Sequence, residues 1–272
     1  MPDLYAVIGN PVAHSKSPLI HTAFAQQTGQ DLVYETLLAP ADGFAATAAA
    51  FRERGGRGLN VTLPFKGEAF RFATRLSARA RAAEAVNTLK FDSHEISGDN
   101  TDGAGLVNDL ERNLGCRLRG LRVLLLGAGG AARGVVEPLL ERQPVRPVLA
   151  NRTLDKAQRL AQSFGGALEA STYAALAGRQ FDLVINATSA SLAGELPPLP
   201  PGIFAHGALA YDMMYGRGET PFLVFARSEG AASRADGLGM LVEQAAESFF
   251  IWRGVRPDSA AVLQQLRRAQ NA

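Results

Sequence analysis

The stretch "LRVLLLGAGGAARG" (121–134) limits the fold more than any other part of this chain. Val123–Leu126 is an unbroken apolar run that reads as a strand buried on both faces, the mark of a parallel sheet covered by helices. A glycine-rich turn follows at once. Gly127, Gly129 and Ala132 stand in the G-x-G-x-x-A spacing of a dinucleotide fingerprint. The first glycine permits the tight turn, the second lets the backbone approach a pyrophosphate, and Ala132 allows close helix–strand packing. A helix opening near Gly130 directs its free N–H groups at phosphate oxygens, and Ala128 and Ala131 complete the same turn. The segments "RPVLAN" (146–151), "FDLVINAT" (181–188) and "GALAYDMMY" (207–215) read as further strands, with a helix from about Thr153 to Phe164. This βαβ rhythm predicts a doubly wound, Rossmann-like domain.

Cofactor choice is read one strand later. An NAD site places Asp or Glu about 20 residues beyond the fingerprint, to accept from the ribose hydroxyls. This chain offers Asn151-Arg152-Thr153, followed by Lys156. An acid there repels a 2′-phosphate, whereas Arg152 binds one through charge-assisted hydrogen bonds and stacks on adenine. NADP is the expected cofactor.

The first hundred residues also alternate strand and helix. "LYAVIG" (4–9), "LVYETLLA" (32–39) and "RGLNVT" (57–62) read as strands, and residues 41–54 as an Ala-rich helix. In "SPLIHTAFAQQTG" (17–29) Ser17 is the expected N-cap, Pro18 follows it and Gly29 closes the helix. "VNTLKF" and "HEISGDN" flank Asp92-Ser93 as a hairpin, and Leu106, Leu110 and Leu114 give residues 102–115 a helical stripe. Residues 239–254 and 257–272 are expected to be helical, and the Pro-rich run 195–202 a long surface connection. Three strand-to-helix junctions are unusually polar. One carries Ser15 and Ser17, at a helix start suited to a carboxylate. Another, "NVTLPFK" (60–66), carries Asn60, Thr62 and Lys66. The last, residues 84–103, carries Asn87, Asn100 and Asp102. Lys66 falls in a helical first turn, where the macrodipole disfavours a cation by roughly 0.3–1 kcal/mol. The chain has 24 arginines and only four lysines, so a lysine kept at such a place points to a need for its compact, titratable amine.

Bulk properties exclude several classes. The length of 272 residues favours two domains, and 47% hydrophobic with 20% charged residues is ordinary for a soluble globular protein. Apolar runs are too short for a membrane span, and the N-terminus lacks an export signal. One cysteine, Cys116, excludes an intrachain disulfide and points to the cytoplasm. Four scattered histidines make a metal site unexpected. Net charge is only +2 and the arginines form no basic block, which speaks against nucleic-acid binding.

The runs "GNPVAHSKSP", "NVTLPFK", "EAVNT", "GDNTDG", "GAGGAARG", "NRT", "DMMY" and "DGLGMLVEQAAESF" resemble the shikimate dehydrogenase family in sequence and in order, over nearly the whole chain. The resemblance implies an enzyme that interconverts 3-dehydroshikimate and shikimate with NADPH, on a small-molecule substrate, as a monomer or homodimer. It implies an α/β substrate domain of residues 1–103 to which helices 239–272 return, and an NADP-binding domain of residues 104–238. By position it makes Lys66 and Asp102 the catalytic pair and Ser15 and Ser17 the carboxylate binders. Asn60, Thr62, Asn87, Asp102 and Gln244 match ligands of the ring hydroxyls, with Tyr215 a further substrate contact. Asn151, Arg152, Thr153 and Lys156 match the 2′-phosphate clamp. Thr188, Met213 and Gly237 complete the expected cofactor contacts. Two positions depart from the family pattern: Glu84, where many members have Gly, and Met214, where Val is usual. A quinate/shikimate dehydrogenase with relaxed NAD/NADP use is the alternative within the class, and "NRT" argues against it. A non-catalytic NADP sensor is the alternative outside it, and the retention of both Lys66 and Asp102 argues against that.

Overall fold

A computed structural model describes residues 1–271. The chain divides into two compact units, one of residues 1–105 with 241–270 and one of residues 106–240. In the first, the order is β1 (Asp3–Gly9), α1 (Ser17–Thr28), β2 (Leu32–Leu38), α2 (Phe44–Glu53), β3 (Gly56–Val61), α3 (Lys66–Phe72), β4 (Arg75–Leu76), α4 (Ala78–Ala83), β5 (Thr88–Phe91) and β6 (Ile96–Asp99). These strands form one sheet in the order β2-β1-β3-β5-β6-β4. β1 pairs in parallel with β2 and β3, while β3–β5 and the β5–β6 hairpin are antiparallel. Phe44, Phe51, Leu59, Phe65 and Leu89 fill the core on one side of this sheet.

The chain continues through α5 (Asp102–Asn108) into β7 (Arg122–Leu126), α6 (Gly130–Glu141), β8 (Val145–Ala150), α7 (Leu154–Ser163), β9 (Glu169–Ser171), β10 (Phe181–Asn186), β11 (Phe204–Asp212), α8 (Pro221–Ser228) and β12 (Ser233–Asp236). The second sheet, ordered β12-β11-β10-β7-β8-β9, is parallel at every pairing. Val123–Leu126 is fully covered on both faces. The strand order reverses between β7 and β10, so a crevice opens there beyond the carboxyl ends of the strands.

The last elements are α9 (Leu238–Arg253) and α10 (Ser259–Asn271). Within the first unit, Trp252 stacks on Tyr5 at 4.7 Å between ring centroids and donates its indole N–H to Leu89 O at 2.9 Å.

Three local readings are corrected. The helix expected across 102–115 is α-helical only to Asn108 and then takes a π-helical turn, Asp109–Asn113. The wider turn slips the stripe: Leu106 and Leu110 are buried, but Leu114 is 41% exposed. Ser17 is the first helical residue rather than the N-cap, and Lys16 precedes the helix. The Ala-rich helix begins at Phe44, not at residue 41. Glu84, the departure from glycine, holds a left-handed φ of 51° where it terminates α4, a conformation that glycine adopts without the Cβ clash.

Candidate active site

In the first unit, β3 ends at Val61, the chain turns through Pro64, and Lys66 opens α3. Its ammonium meets the Asp102 carboxylate, Nζ to Oδ2, at 2.5 Å, with side-chain exposures of 30% and 15%. The opposing charge offsets the unfavourable helix-start position of Lys66. Asp102 opens α5, yet its carboxylate is not spent on capping, because Asn100 Oδ1 accepts the Asp102 backbone N–H at 3.1 Å. The second carboxylate oxygen, Oδ1, accepts from Asn87 Nδ2 at 2.8 Å.

Asn87 is the hub of this arrangement. Its Nδ2 also lies 2.9 Å from Thr101 Oγ1 and 3.3 Å from Gln244 Oε1, and its Oδ1 accepts from Thr88 Oγ1 and from Thr101 N–H, each at 2.9 Å. Thr88 Oγ1 is 2.7 Å from Ser248 Oγ, which accepts from Asn60 Nδ2 at 3.0 Å. Asn60 Oδ1 accepts from the Tyr34 hydroxyl at 2.7 Å. An unbroken series of side-chain contacts therefore runs from Lys66 to Tyr34. Burial holds the Tyr34 hydroxyl well above its ordinary pKa, and the Ser17 hydroxyl opposes that shift. Such a network fixes the rotamers of its members, because every buried polar atom has a partner that a different rotamer would lose.

Lys66, Asp102, Asn87, Gln244 and Asn60 are thus brought together. Thr62 stands two residues beyond Asn60, half-buried, with its backbone N–H on Ile8 O at 3.0 Å. At the start of α1, Ser15 Oγ accepts the Ser17 N–H at 3.2 Å, so Ser15 has the capping duty expected of Ser17. Tyr34, Thr88, Thr101 and Ser248 are network members that the sequence reading passed over. Ser248 was the most accessible of them, since it lies one helical turn beyond Gln244 on α9.

In the second unit Gly127 follows β7 at φ 99°, and a Cβ there would stand 3.0 Å from Thr188 Cγ2. Beyond it, a cavity of about 460 Å³ is lined by Ala128, Gly129, Asn151, Arg152, Thr153, Lys156 and Thr188, together with Tyr173, Ser189, Ala190, Glu195, Leu196 and Pro197. A Cβ at Gly129 or Gly130 would meet nothing within 4 Å, so the turn leaves open space beside the exposed start of α6 at Gly130 and Ala131. Asn151 donates to Thr153 O at 2.9 Å and shapes the turn, while Arg152, Thr153 and Lys156 are exposed. The Pro-rich segment does more than connect, because Glu195, Leu196 and Pro197 form one wall. Met213 and Gly237 are buried at the ends of β11 and β12, where a Cβ at Gly237 would collide with the Met213 carbonyl. Tyr215 lies in this second unit, its phenol pushed upward by burial and then by the Asp236 carboxylate. A backbone cradle with exposed cations in its lining fits NADP, a phosphorylated dinucleotide.

The parallel sheet with its cradle, and a second α/β unit bearing a lysine–carboxylate pair, define a dinucleotide-dependent oxidoreductase class. Residues 7–89 match the family model described as shikimate dehydrogenase substrate binding domain, residues 109–193 that of shikimate / quinate 5-dehydrogenase, and residues 237–267 that of the shikimate 5′-dehydrogenase C-terminal domain. The shikimate dehydrogenase (NADP(+)) of Nitrosospira multiformis is 65% identical over 270 residues, spanning 98% of each chain. Among solved structures, an Ael1 enzyme from Pseudomonas putida superposes with a TM-score of 0.93 at 53% identity, covering 97% of this chain and 98% of that one. Shikimate 5-dehydrogenase from Thermus thermophilus, in complex with NADP(H) and shikimate, gives a TM-score of 0.87 at 34% identity, covering 98% and 99%. The chain belongs to the shikimate dehydrogenase family.

Proposed function

We propose that this enzyme carries out the NADPH-dependent, reversible reduction of 3-dehydroshikimate to shikimate, a step toward chorismate and the aromatic amino acids. The observation that carries the reading is the Lys66–Asp102 pair at 2.5 Å, partly buried and set among amides and hydroxyls. NADPH supplies the hydride when bound. Residues 127–131 would hold its pyrophosphate, Asn151, Arg152, Thr153 and Lys156 its 2′-phosphate end, and Thr188, Met213 and Gly237 its nicotinamide end.

Lys66 donates a proton from Nζ to the 3-oxygen as the carbonyl is reduced, and takes it back in the reverse direction. Asp102 holds the ammonium in place and accepts from a ring hydroxyl. Ser15 and Ser17 take the substrate carboxylate, and Asn60, Thr62, Asn87, Gln244 and Tyr215 the hydroxyls. Discrimination rests on those amides and hydroxyls, because a polar group left without its partner in a closed site costs about 1–3 kcal/mol.

Initial rates with shikimate and with quinate, each with NADP and with NAD, test the reading. The expected result is a kcat/KM for shikimate with NADP far above the other three. Comparable values with quinate or NAD would move the chain to the quinate/shikimate branch. We place the enzyme in the cytoplasm as a monomer or homodimer. Its lone Cys116, whose thiol burial pushes up to about 11, is an inert residue there. Among the described residues no helix is long and apolar enough to cross a membrane.

A further inference from the structure

Asp212 closes β11 directly beside Asn186, the last residue of β10, with which it is in register. It is fully buried. Its carboxylate accepts from Asn186 Nδ2 at 3.1 Å, Ser191 Oγ at 2.7 Å, Thr220 Oγ1 at 2.6 Å and the Met214 N–H at 3.0 Å. All four donors are uncharged. A buried carboxylate held only by neutral donors is a costly way to join two strand ends, and an apolar pair would pack there without that cost. The position explains it, because the carboxyl ends of parallel strands are where such sheets take their ligands.

Two of the four bonds lead to segments that border the cavity, and a third holds the chain just beyond β11. Asn186 turns its Oδ1 to Thr188, accepting the Thr188 N–H at 3.1 Å and its hydroxyl at 2.7 Å. Ser191 sits in the single turn 190–193, and its anchor fixes the entry to Glu195, Leu196 and Pro197. The Met214 N–H holds the turn that carries Met213 and Tyr215. We infer that Asp212 is a positioning residue for the dinucleotide: through Asn186 and Ser191 it fixes Thr188 and the wall of Glu195, Leu196 and Pro197, and so sets affinity for NADPH. The inference rests on the proposed NADP reading.

The test is NADPH affinity measured by fluorescence titration without substrate, beside thermal unfolding. Ser191→Ala should raise the Kd about three- to tenfold, a part of the worth of one hydrogen bond to a carboxylate, the rest of which appears as a lower thermal midpoint. Ser191→Thr, which keeps the hydroxyl, should restore most of the affinity. Asp212→Asn should weaken binding more than Ser191→Ala, and the pair combined should fall short of the sum of the two effects. An unchanged Kd in Ser191→Ala, or a loss in Ser191→Thr as large as in Ser191→Ala, overturns the inference while leaving the NADP reading intact. Failure of the wild-type protein to bind NADPH overturns that reading and this inference with it.

Discussion

In the unit of residues 1–105 with 241–270, the polar side chains of the candidate site bond one another; in the unit of residues 106–240, the cations at the cavity carry no ion pair among the described residues. Lys66, Asp102, Asn87, Thr88, Ser248 and Asn60 form a network whose geometry the protein's own side chains hold. Arg152 and Lys156 stand exposed beside a cradle made of backbone. The contrast follows from what each ligand brings. A small polyhydroxylated acid brings neutral hydroxyls, so donors and acceptors must already be aimed, since ordering them at each encounter would cost affinity. A 2′-phosphate brings its own charge and needs only available cations with room to close on it. Damage to the first region should therefore appear in turnover and substrate KM, and damage to the second in cofactor affinity.

The largest effect is expected at Lys66. Lys66→Ala should lower kcat by about 10²–10⁴-fold, the contribution of a positioned acid/base group, while NADPH affinity by fluorescence titration stays within about twofold. Near wild-type kcat at saturating substrate would remove Lys66 from the chemistry. Next in size is Arg152→Ala, which deletes a charge-assisted contact worth about 1.5–3 kcal/mol, so KM for NADPH should rise about 10- to 150-fold. Rates with NADH should hardly move. If NADPH preference survives, the clamp is formed elsewhere and the contrast between the two regions fails.

The ease with which these sites could be read from sequence also differs between the regions. The candidate nucleotide cradle was legible because it is local: strand, glycine turn and helix occupy 14 consecutive residues, 121–134, and the basic cluster comes just after the next strand. The Lys66–Asp102 pair joins residues 36 apart in sequence, and the residue types alone suggested a site without fixing which atoms meet. Ser248 was missed because its partners Asn60, Thr88 and Thr101 come from three distant segments, and its one local sign, a place one helical turn beyond Gln244, does not say which atoms it meets. The slip at Leu114 is the opposite failure. A regular i, i+4, i+8 stripe was present, but Asp109, which accepts from the Tyr211 hydroxyl at 2.7 Å, lies where the helix widens to a π turn, and no periodicity reports that.

Acid should separate the regions further. His21 is wholly buried, with its ring 4.4 Å from that of Tyr34, and burial pushes its pKa down to about 3, the Asn60 side chain opposing in part. An unfolded histidine titrates near 6.5. The folded value is depressed, so full stability is present above that pH and is lost as pH falls from 6.5 toward 3. At pH 5 the loss is about 2 kcal/mol. The other three histidines are exposed. Hydrogen exchange at pH 5 should therefore show lost protection in residues 1–105 first. His21→Phe should flatten the dependence of the urea midpoint between pH 6.5 and 5, and an equal slope in the variant would mean that other groups carry it.

The smallest and most discriminating change is Ser248→Ala. The Ser248 hydroxyl is fully buried, donates to Gln244 O at 3.0 Å, accepts from Asn60 Nδ2, and lies 2.7 Å from Thr88 Oγ1 and 3.3 Å from Thr101 Oγ1. Its removal leaves Asn60 Nδ2 with the longer contacts to Thr88 Oγ1 at 3.3 Å and Asn87 O at 3.4 Å, so the amide is loosened rather than orphaned. Stability should fall by about 1 kcal/mol and KM for shikimate should rise about three- to tenfold, the scale of one neutral hydrogen bond. NADPH affinity should not change, because every affected atom belongs to the first unit. A rise in KM alone would show that Asn60 depends on its fixed amide to hold a ring hydroxyl. A fall in stability with KM unchanged would mean that the network supports the fold only, and that the preformed geometry of the first region has no part in recognising substrate.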